Sequence, residues 1–555
     1  MFGHAEPAAS VVGLRQAASA SLSARSINTR ARSMVAPVSA DPPSTPQRRD
    51  PHQPGRARWV WAIAFIVSLT LYGATMAPGP LWGDSGECQL HVLLDGWYLG
   101  DSIARSHVLY FGLARAAAYL LPVSAAVAAT LIAVVAGAIT VANVGAITGM
   151  LCRSRTAAIG ATGMLMVSHT MWQLSASAEV LTTSTALLSA EVLLLIRWLR
   201  SNRLRWLALA LLANGLGVSN HNLALLMWPV YLGLGIRRRS IGSTRPIRTI
   251  AVAFTSLLIG MTPILLLCAD TLMTNASVAA TLKSLLVGQY GSRLLHVRRL
   301  PILFARGLGA VALNFPTPCL LLVGSGLVRI RRTVEGPIAW LILSATAIFT
   351  LFGMVYDVPD QHTFLLPAMM FVSILAAVGM NGFLSSRPSR RAAALALILA
   401  LMAPAVYGLV PAAGRRLTPT LSLIPTRTVP YRDRWEWFLQ PWRIGCTGPE
   451  TYARETLDAL PAGAWLSTDN TLCPPLNYLQ VSEHLRLDVR LESWIARQDW
   501  FDRPAFRDQT TRQAKLAAGL VFATSDDPNY LMPWLTQIPL RFERVGHVYQ
   551  VVPRD

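Results

Sequence analysis

Long apolar runs recur along most of this chain, and they constrain its fold more than any other feature. Runs of roughly 20 apolar residues are long enough to cross the hydrocarbon core of a bilayer as helices. One soluble core could not bury all of them. Charged residues make up only 14% of the 555 residues, whereas a typical soluble domain has about 25%. The pattern therefore predicts a polytopic α-helical membrane protein.

About eleven apolar runs are predicted to span the membrane. They cover residues 59–76, 124–151, 157–171, 178–198, 206–218, 223–236, 250–268, 302–328, 337–356, 364–383 and 392–409. One further apolar run, residues 106–121, is short and contains Arg115. We interpret this run as an interfacial helix that does not cross the membrane.

The basic residues predict the orientation of the chain. The net charge is +20, and almost all of the basic residues are arginine. Six basic clusters flank the predicted spans, and all six fall on one side if residues 106–121 do not span. The positive-inside rule makes that side the cytoplasm. This distribution accounts for the positive charge, so we expect no nucleic-acid partner.

Three regions are predicted along the chain. Residues 1–58 are rich in Ala, Ser, Arg and Pro and are expected to form a disordered basic cytoplasmic tail, although their composition also resembles a transit peptide. Residues 59–412 form the multi-span domain. Within it, residues 77–123 form the first outer loop and residues 269–301 form a basic outer loop.

The character of the chain changes after the last apolar run. Residues 413–555 contain shorter apolar segments and charges of both signs. This pattern predicts a small soluble α/β domain on the extracytoplasmic side. Cys446 and Cys473 lie in that domain, and a disulfide between them is one alternative in an oxidising compartment.

Uncommon polar residues gather on the predicted outer face. Ionisable residues near membrane depth are costly and are therefore functional candidates. Each also has a structural interpretation, as a helix cap, a solvated loop acid, a satisfied packed side chain or a turn former. The set consists of Asp84, Glu87, His107, Glu179, Asn220, His221, Asp357, Asp360, Gln361 and His362.

The basic outer loop departs from the positive-inside pattern. Its lone acid is Asp270, and its basic residues are Lys283, Arg293, His296, Arg298 and Arg299. A basic outer surface requires an anionic partner, and arginine offers bidentate contacts to phosphate. We therefore predict a phosphate-binding surface for a lipid-linked phosphate or pyrophosphate. The alternative is binding to lipid head groups of the outer leaflet.

Motifs for metal and nucleotide binding are absent from the sequence. It contains no HxxxH, HExxH or CxxC spacing, and no Walker or GxGxxG loop. We therefore predict no metal site and no cofactor, although the sequence does not exclude a divalent metal. A serine nucleophile within GDSGE is weakly supported, because the G-x-S-x-G elbow is absent.

Four ordered motifs resemble a known family. They are LWGDSGECQ, SHTMWQLSASAEVLTTSTAL, NGLGVSNHNLALLMWP and YDVPDQHTFLLP. They are similar to a bacterial branch of the transmembrane protein 260-like family, a former domain of unknown function related to protein O-mannosyltransferases. The resemblance covers about residues 59–385, and a weaker similarity continues through STDNTLCPPLNYLQ.

The resemblance implies a type C glycosyltransferase fold and a polyprenyl-phosphate sugar as donor on the outer face. It also implies an acidic residue in the first outer loop, where Asp84 stands, with Glu87 as a second acid. The segment SHVLYFGLA keeps His107 and Tyr110 of the family pattern but lacks its prolines.

These observations lead to one principal hypothesis. We expect inverting sugar transfer to an acceptor hydroxyl with Asp84 as general base, in a bacterial inner membrane. Glu179, His221 and Asp360 would position sugar hydroxyls or the acceptor, and the soluble domain would recruit a protein or glycan acceptor. The alternatives are a transporter or lipid flippase that uses the same polar residues, and a structural assembly protein.

Overall fold

The computed structural model describes residues 54–94, 96–97, 102–239, 246–274, 277–288, 291–293, 296–417, 427–493 and 508–554. The described residues belong to one compact unit. Almost all of the predicted disordered tail, residues 1–58, lies outside them.

The described residues up to position 417 are mostly helical. The first nine helices are α1 (Pro54–Thr75), α2 (Gly83–Leu93), α3 (Val108–Leu120), α4 (Ala125–Leu151), α5 (Arg155–Met166), α6 (His169–Ser175), α7 (Val180–Ser201), α8 (Leu204–Asn220) and α9 (Trp228–Arg239). The next nine are α10 (Pro246–Met273), α11 (Val278–Leu286), α12 (Leu300–Asn314), α13 (Leu320–Thr333), α14 (Gly336–Val355), α15 (Gln361–Phe364), α16 (Leu366–Ser386), α17 (Arg390–Leu401) and α18 (Ala403–Leu417).

Among the described residues, six helices are long and apolar enough to cross a membrane. They are α4, α7, α10, α14, α16 and the part of α1 from Arg58 onward. The pair α17 and α18, bent by 45°, provides a seventh candidate if it forms one span. The other predicted spans fall on shorter helices.

Two segments differ in helical structure from the sequence-based interpretation. The predicted span over residues 302–328 consists of two helices, α12 and α13, and Pro316 and Pro318 lie between them. Proline lacks an N–H donor and clashes with the preceding turn, so it interrupts a helix. The predicted first outer loop, residues 77–123, contains the helix α2. Residues 106–121 contain the helix α3, and its placement at the interface stays a prediction.

Glycine residues bring neighbouring helices close together. A Cβ at Gly379 of α16 would collide with the carbonyl oxygen of Leu322 in α13. A Cβ at Gly215 of α8 would collide with the carbonyl oxygen of Leu257 in α10. Glycine permits such close backbone approach, which favours helix association in a bilayer.

The C-terminal part is a small α/β structure. Its elements are α19 (Arg434–Leu439), α20 (Gly448–Ala459), β1 (Trp465–Thr468), α21 (Cys473–Glu483), β2 (Arg490–Ser493), α22 (Gln509–Ala517), β3 (Val521–Ala523), β4 (Leu540–Val545) and β5 (Val548–Pro553). The sheet order is β2-β1-β3-β5-β4. Strand β1 is parallel to β2 and β3, and β5 is antiparallel to β3 and β4. The predicted C-terminal sheet is therefore present. Cys446 and Cys473 are free thiols.

Helix ends that carry basic clusters lie together at one end of the helical part. Arg200, near the end of α7, forms an ion pair of 2.9 Å with Glu335, which precedes α14. At the same end, the Ser154 N–H donates to the Asn381 side chain at 2.9 Å, and the Arg237 guanidinium stacks over the Trp340 ring.

The C-terminal part contacts the opposite end of the long helices. The Arg443 N–H donates to the carbonyl of Thr75 at 2.8 Å, where α1 ends. The Tyr478 hydroxyl accepts from the Ala126 N–H at 3.0 Å, where α4 begins. The small α/β structure and the basic clusters therefore lie at opposite ends of these helices.

Candidate active site

Asp84 lies in the first turn of α2, next to the C-terminal part. The residue before it, Gly83, has a φ of +61°, a left-handed conformation that glycine adopts without a side-chain clash. The cap position is Trp82, which makes no side-chain capping bond, so the interpretation of Asp84 as the helix cap is wrong. The positive end of the helix dipole favours a carboxylate at this place.

The Asp84 side chain is exposed to solvent. We call the surface that it shares with Glu179 and Asp360 the recess. Burial by the surrounding protein raises the pKa of Asp84, the negative charge of Asp360 raises it further, and Arg105 opposes the shift. Asp84 therefore holds a proton more tightly than an ordinary aspartate.

Three predicted acids meet at this recess, each at the start of a helix. Glu179 directly precedes α7, and Asp360 directly precedes α15. The Ser85 hydroxyl donates to the Glu179 carboxylate at 2.7 Å. Burial raises the pKa of Glu179 to about 8, and the charges of Asp84 and Asp360 contribute to the increase. The structure therefore brings Asp84, Glu179 and Asp360 into one electrostatic cluster.

Glu87 occupies a different environment from Asp84. Its side chain is 5% exposed and forms an ion pair of 3.2 Å with Arg105. Burial raises the pKa of Glu87 to about 7, although Arg105 opposes the shift. Glu87 is therefore a buried, paired acid and is not a second solvent-exposed one. Sequence reasoning missed Arg105, an arginine in a predicted outer loop where basic residues are uncommon.

His107 and His221 lie side by side, with ring centroids 5.2 Å apart. The Nδ1 atom of His107 is 2.7 Å from the Asn220 carbonyl oxygen. A carbonyl only accepts, so Nδ1 of His107 carries the proton and Nε2 is left as an acceptor in the neutral ring. Burial lowers the pKa of His107 to about 4 and that of His221 to about 3. Both rings are therefore neutral near pH 7.

Three predicted binding residues make structural contacts instead. Tyr110 is fully buried, and its hydroxyl donates to the Ala129 carbonyl at 2.9 Å. The buried Asn220 side chain accepts from the Tyr110 N–H at 3.1 Å and donates to Ser184 at 2.8 Å. The Gln361 amide donates to three carbonyl oxygens in α12 and α14, the shortest at 3.0 Å. These contacts join helices.

Asp357 joins the loop before α15 to the predicted phosphate-binding surface. Its side chain is 3% exposed and accepts from Arg299 at 2.7 Å and from His296 at 3.0 Å. The Asp357 N–H also donates to the Arg293 carbonyl at 3.0 Å. Arg293 and Arg298 have exposed side chains. The basic surface is therefore divided into a neutralised part and an open part.

Arg443 is a further residue that sequence reasoning missed. It is 4% exposed, and its guanidinium donates to the carbonyls of Gln440 and Trp437 at 2.8 and 3.1 Å. Its positive charge opposes the increase in the pKa of Glu179. The sequence feature that could have indicated Arg443 is the aromatic segment RWEWFLQPWR, residues 434–443.

The described residues also bear on the prediction that the chain has no metal site, which stays a prediction. Within the described ranges, no group of three or more His, Cys, Asp or Glu side chains is arranged to hold a metal ion.

Comparison with known proteins identifies the architecture. Residues 109–241 match the family model described as Protein O-mannosyl-transferase TMEM260 N-terminal domain. The crystal structure of ArnT from Cupriavidus metallidurans in the apo state is similar, with a TM-score of 0.53 and 12% identity over 89% of this chain and 98% of ArnT. The chain has the type C glycosyltransferase fold. The predicted family resemblance and the type C fold are thereby confirmed, whereas the eleven spans and the extracytoplasmic C-terminal domain stay predictions.

A second ArnT structure from the same organism, bound to undecaprenyl phosphate, shares the type C fold with a TM-score of 0.52. Its identity is 12%, over 90% of this chain and 98% of that one. No curated protein matches the chain. The TMEM260 segment begins two residues after His107 and contains Glu179 and His221.

Proposed function

We propose that this protein is a membrane glycosyltransferase that moves a sugar from a polyprenyl-phosphate donor to an acceptor hydroxyl. The fold and the family match support transfer of a sugar, and the recess supplies the chemistry. The single observation that carries the proposal is the position of Asp84. It is an open carboxylate at a helix start, flanked by two further acids.

Asp84 acts as the general base in this proposal. The acceptor oxygen attacks the anomeric carbon of the sugar while its proton passes to the Asp84 carboxylate. The bond between the anomeric carbon and the phosphate oxygen breaks, and polyprenyl phosphate leaves with the electron pair. The configuration at the anomeric carbon is inverted. A base whose pKa lies close to the working pH is well suited to this proton transfer.

The leaving phosphate requires positive charge, which the open part of the basic surface supplies. Arg293 and Arg298 are exposed and available for a phosphate, whereas Arg299 and His296 are bound to Asp357. Fixed positive charges near a departing phosphate stabilise the charge that develops in the transition state. We therefore assign phosphate binding first to Arg293 and Arg298, with Arg299 and His296 completing the surface.

The remaining polar groups bind and orient the sugar and the acceptor. Glu179, with its raised pKa, offers both a donor and an acceptor to a hydroxyl group. The free Nε2 of His107 offers an acceptor, and the ring of His221 stacks beside it. Glu87 acts through Arg105 and is a positioning residue. The reaction needs no cofactor, because the lipid-linked sugar is the activated donor.

The orientation of the protein follows from its charge distribution. The recess and the C-terminal part lie opposite the end where helix ends carry basic clusters. Under the positive-inside rule the basic end faces the cytoplasm. The proposed reaction therefore takes place on the extracytoplasmic face of a bacterial inner membrane, with about eleven spans and the C-terminal domain outside. The acceptor is a protein or a glycan.

The test uses the purified full-length protein in nanodiscs. Release of polyprenyl phosphate and transfer of sugar are measured with polyprenyl-phosphate mannose and polyprenyl-phosphate glucose, with and without EDTA. We expect Asp84→Asn to lower transfer by about 10²–10⁴-fold, the usual contribution of a general base. Asp270 is an exposed acid in α10, so Asp270→Asn is the matched control and should retain the wild-type rate.

Three outcomes would contradict the proposal. Undiminished transfer by Asp84→Asn would contradict the assigned role, and movement of an intact lipid-linked sugar without bond cleavage would favour a flippase. A rate that EDTA abolishes would contradict a reaction without a metal.

A further inference from the structure

The C-terminal domain holds the first turn of α2 directly. The Gly83 N–H donates to the Thr471 carbonyl at 3.1 Å. Gly86, one turn further along α2, packs against α21, and a Cβ at Gly86 would lie 2.8 Å from the Pro474 Cβ. Asp84 lies between these two contacts. The backbone on both sides of Asp84 is therefore held by a domain that begins more than 300 residues later in the chain.

Thr471 belongs to a short loop at the carboxyl end of β1. Strands β1, β2 and β3 run parallel, so their carboxyl ends meet at one edge of the sheet. The loop of residues 469–472 leaves that edge and leads into α21. This is the edge where open α/β sheets usually place functional loops. Here the loop is occupied by α2.

Asp469 holds this loop in its conformation. It is 5% exposed. Its Oδ1 accepts from the Thr471 N–H at 2.8 Å, and its Oδ2 accepts from Arg427 at 2.5 Å and from Thr524, after β3, at 3.3 Å. A single buried carboxylate therefore connects β1, β3, residue 427 and the loop that contacts Gly83.

The connection to Asp84 is short. The Asp469 carboxylate orients the Thr471 peptide, whose carbonyl accepts from Gly83, and Asp84 is the next residue. Arg427 is held in turn by the Tyr530 ring, 3.9 Å from its guanidinium carbon. Misplacement of a reacting group by about 1 Å is enough to lower a rate by about 10²-fold. Small shifts of the loop should therefore appear as loss of turnover.

We propose that Asp469 is a positioning residue for the transfer reaction, and that the C-terminal domain completes the active site by holding Asp84 in place. This inference rests on the proposed role of Asp84 as general base. It assigns the domain a part in catalysis itself, in addition to recruitment of the acceptor. The Asp469 side chain does not touch the substrate.

Three variants of the full-length protein test this proposal. Asp469→Ala removes the acceptor for the Thr471 N–H. Asp469→Asn keeps an oxygen for that bond, but its NH2 group replaces the oxygen that accepts from Arg427 and Thr524. The matched control is Asp488→Ala. Asp488 is also paired with an arginine, Arg486 at 2.9 Å, and also accepts a backbone N–H, that of Gly463 at 3.0 Å. It precedes β2, at the opposite edge of the sheet.

We expect Asp469→Ala to lower kcat by about tenfold or more, with the KM for the lipid donor nearly unchanged. Asp469→Asn should recover most of kcat although it loses the same ion pair, and Asp488→Ala should keep the wild-type kcat. A purely structural role would lower the melting temperature in all three variants and would not separate alanine from asparagine at position 469.

Hydrogen exchange provides a second readout that does not depend on activity. We expect residues 83–93 to exchange faster in Asp469→Ala and to be unchanged in Asp488→Ala. Unchanged exchange and unchanged kcat in Asp469→Ala would overturn this proposal while leaving the base in place. Full activity of Asp84→Asn would instead overturn the proposed function, and the exchange result would still show whether the domain holds α2.

Discussion

The hydroxyl of Ser85 donates a hydrogen bond of 2.7 Å to the carboxylate of Glu179. This bond joins the first turn of α2 to the start of α7, two elements separated by 94 positions in the chain. It also brings Glu179 next to Asp84, so that the charges of the two acids affect each other. The electrostatic behaviour of the recess follows from this arrangement.

The first prediction concerns stability and pH. The pKa of Glu179 is raised to about 8, mainly by burial, whereas a glutamate in the unfolded chain titrates near 4.3. The folded state therefore binds the proton more tightly, and stability falls as pH rises between the two values. We expect the melting temperature to decrease from about pH 5 to about pH 8. Glu179→Gln, which cannot ionise, should flatten this dependence, and an unchanged slope would contradict the prediction.

The second prediction concerns the pH dependence of transfer. A general base must be deprotonated to act, and burial together with the Asp360 charge raises the pKa of Asp84. We expect kcat/KM to rise with pH through an acidic limb above the ordinary aspartate range. Asp360→Asn removes a neighbouring negative charge, so the limb should move to lower pH. Asp270→Asn serves as control. A shift to higher pH in Asp360→Asn would show that the two carboxyl groups do not interact as described.

The third prediction separates Glu87 from Asp84. Glu87 is buried against Arg105, and glutamine at this position keeps an oxygen that accepts from the guanidinium. We expect Glu87→Gln to keep transfer within a few-fold of wild type, whereas Glu87→Ala loses about 1–3 kcal/mol of stability because the ion-pair partner of Arg105 is removed. Thermal unfolding and initial rates measure the two effects. If Glu87→Gln is as inactive as Asp84→Asn, Glu87 takes part in the chemistry.

The fourth prediction compares two arginines of the basic surface. Arg298 is exposed, whereas Arg299 is bonded to the buried Asp357 at 2.7 Å. We expect Arg298→Gln to raise the KM for the polyprenyl-phosphate donor by about tenfold, as loss of a hydrogen bond to a charged group implies, with an unchanged melting temperature. Arg299→Gln should lower the melting temperature, because Asp357 loses its closest cation. Equal effects of the two variants on both quantities would contradict the division of this surface.

Part of this architecture was predictable from local patterns. The apolar runs predicted the long helices, and the alternation of short strands and helices after residue 413 predicted the α/β part. The placement of polar residues between apolar runs predicted that Asp84, Glu179 and Asp360 share one face. These features depend on hydrophobicity and charge within short stretches of the sequence. Such stretches are enough to indicate whether a segment lies in lipid or in a small domain.

The roles of individual side chains depended on contacts between distant segments. Glu87 and Asp84 are three residues apart, yet only the position of Arg105 makes one a paired acid and leaves the other open. Tyr110 and Gln361 are polar residues that donate hydrogen bonds to carbonyl groups of neighbouring helices. The sequence alone therefore determined the long helices, their flanking charges and the set of candidate residues. Only the tertiary structure decided which of these residues face a recess, because a side chain's partner is set by how helices cross.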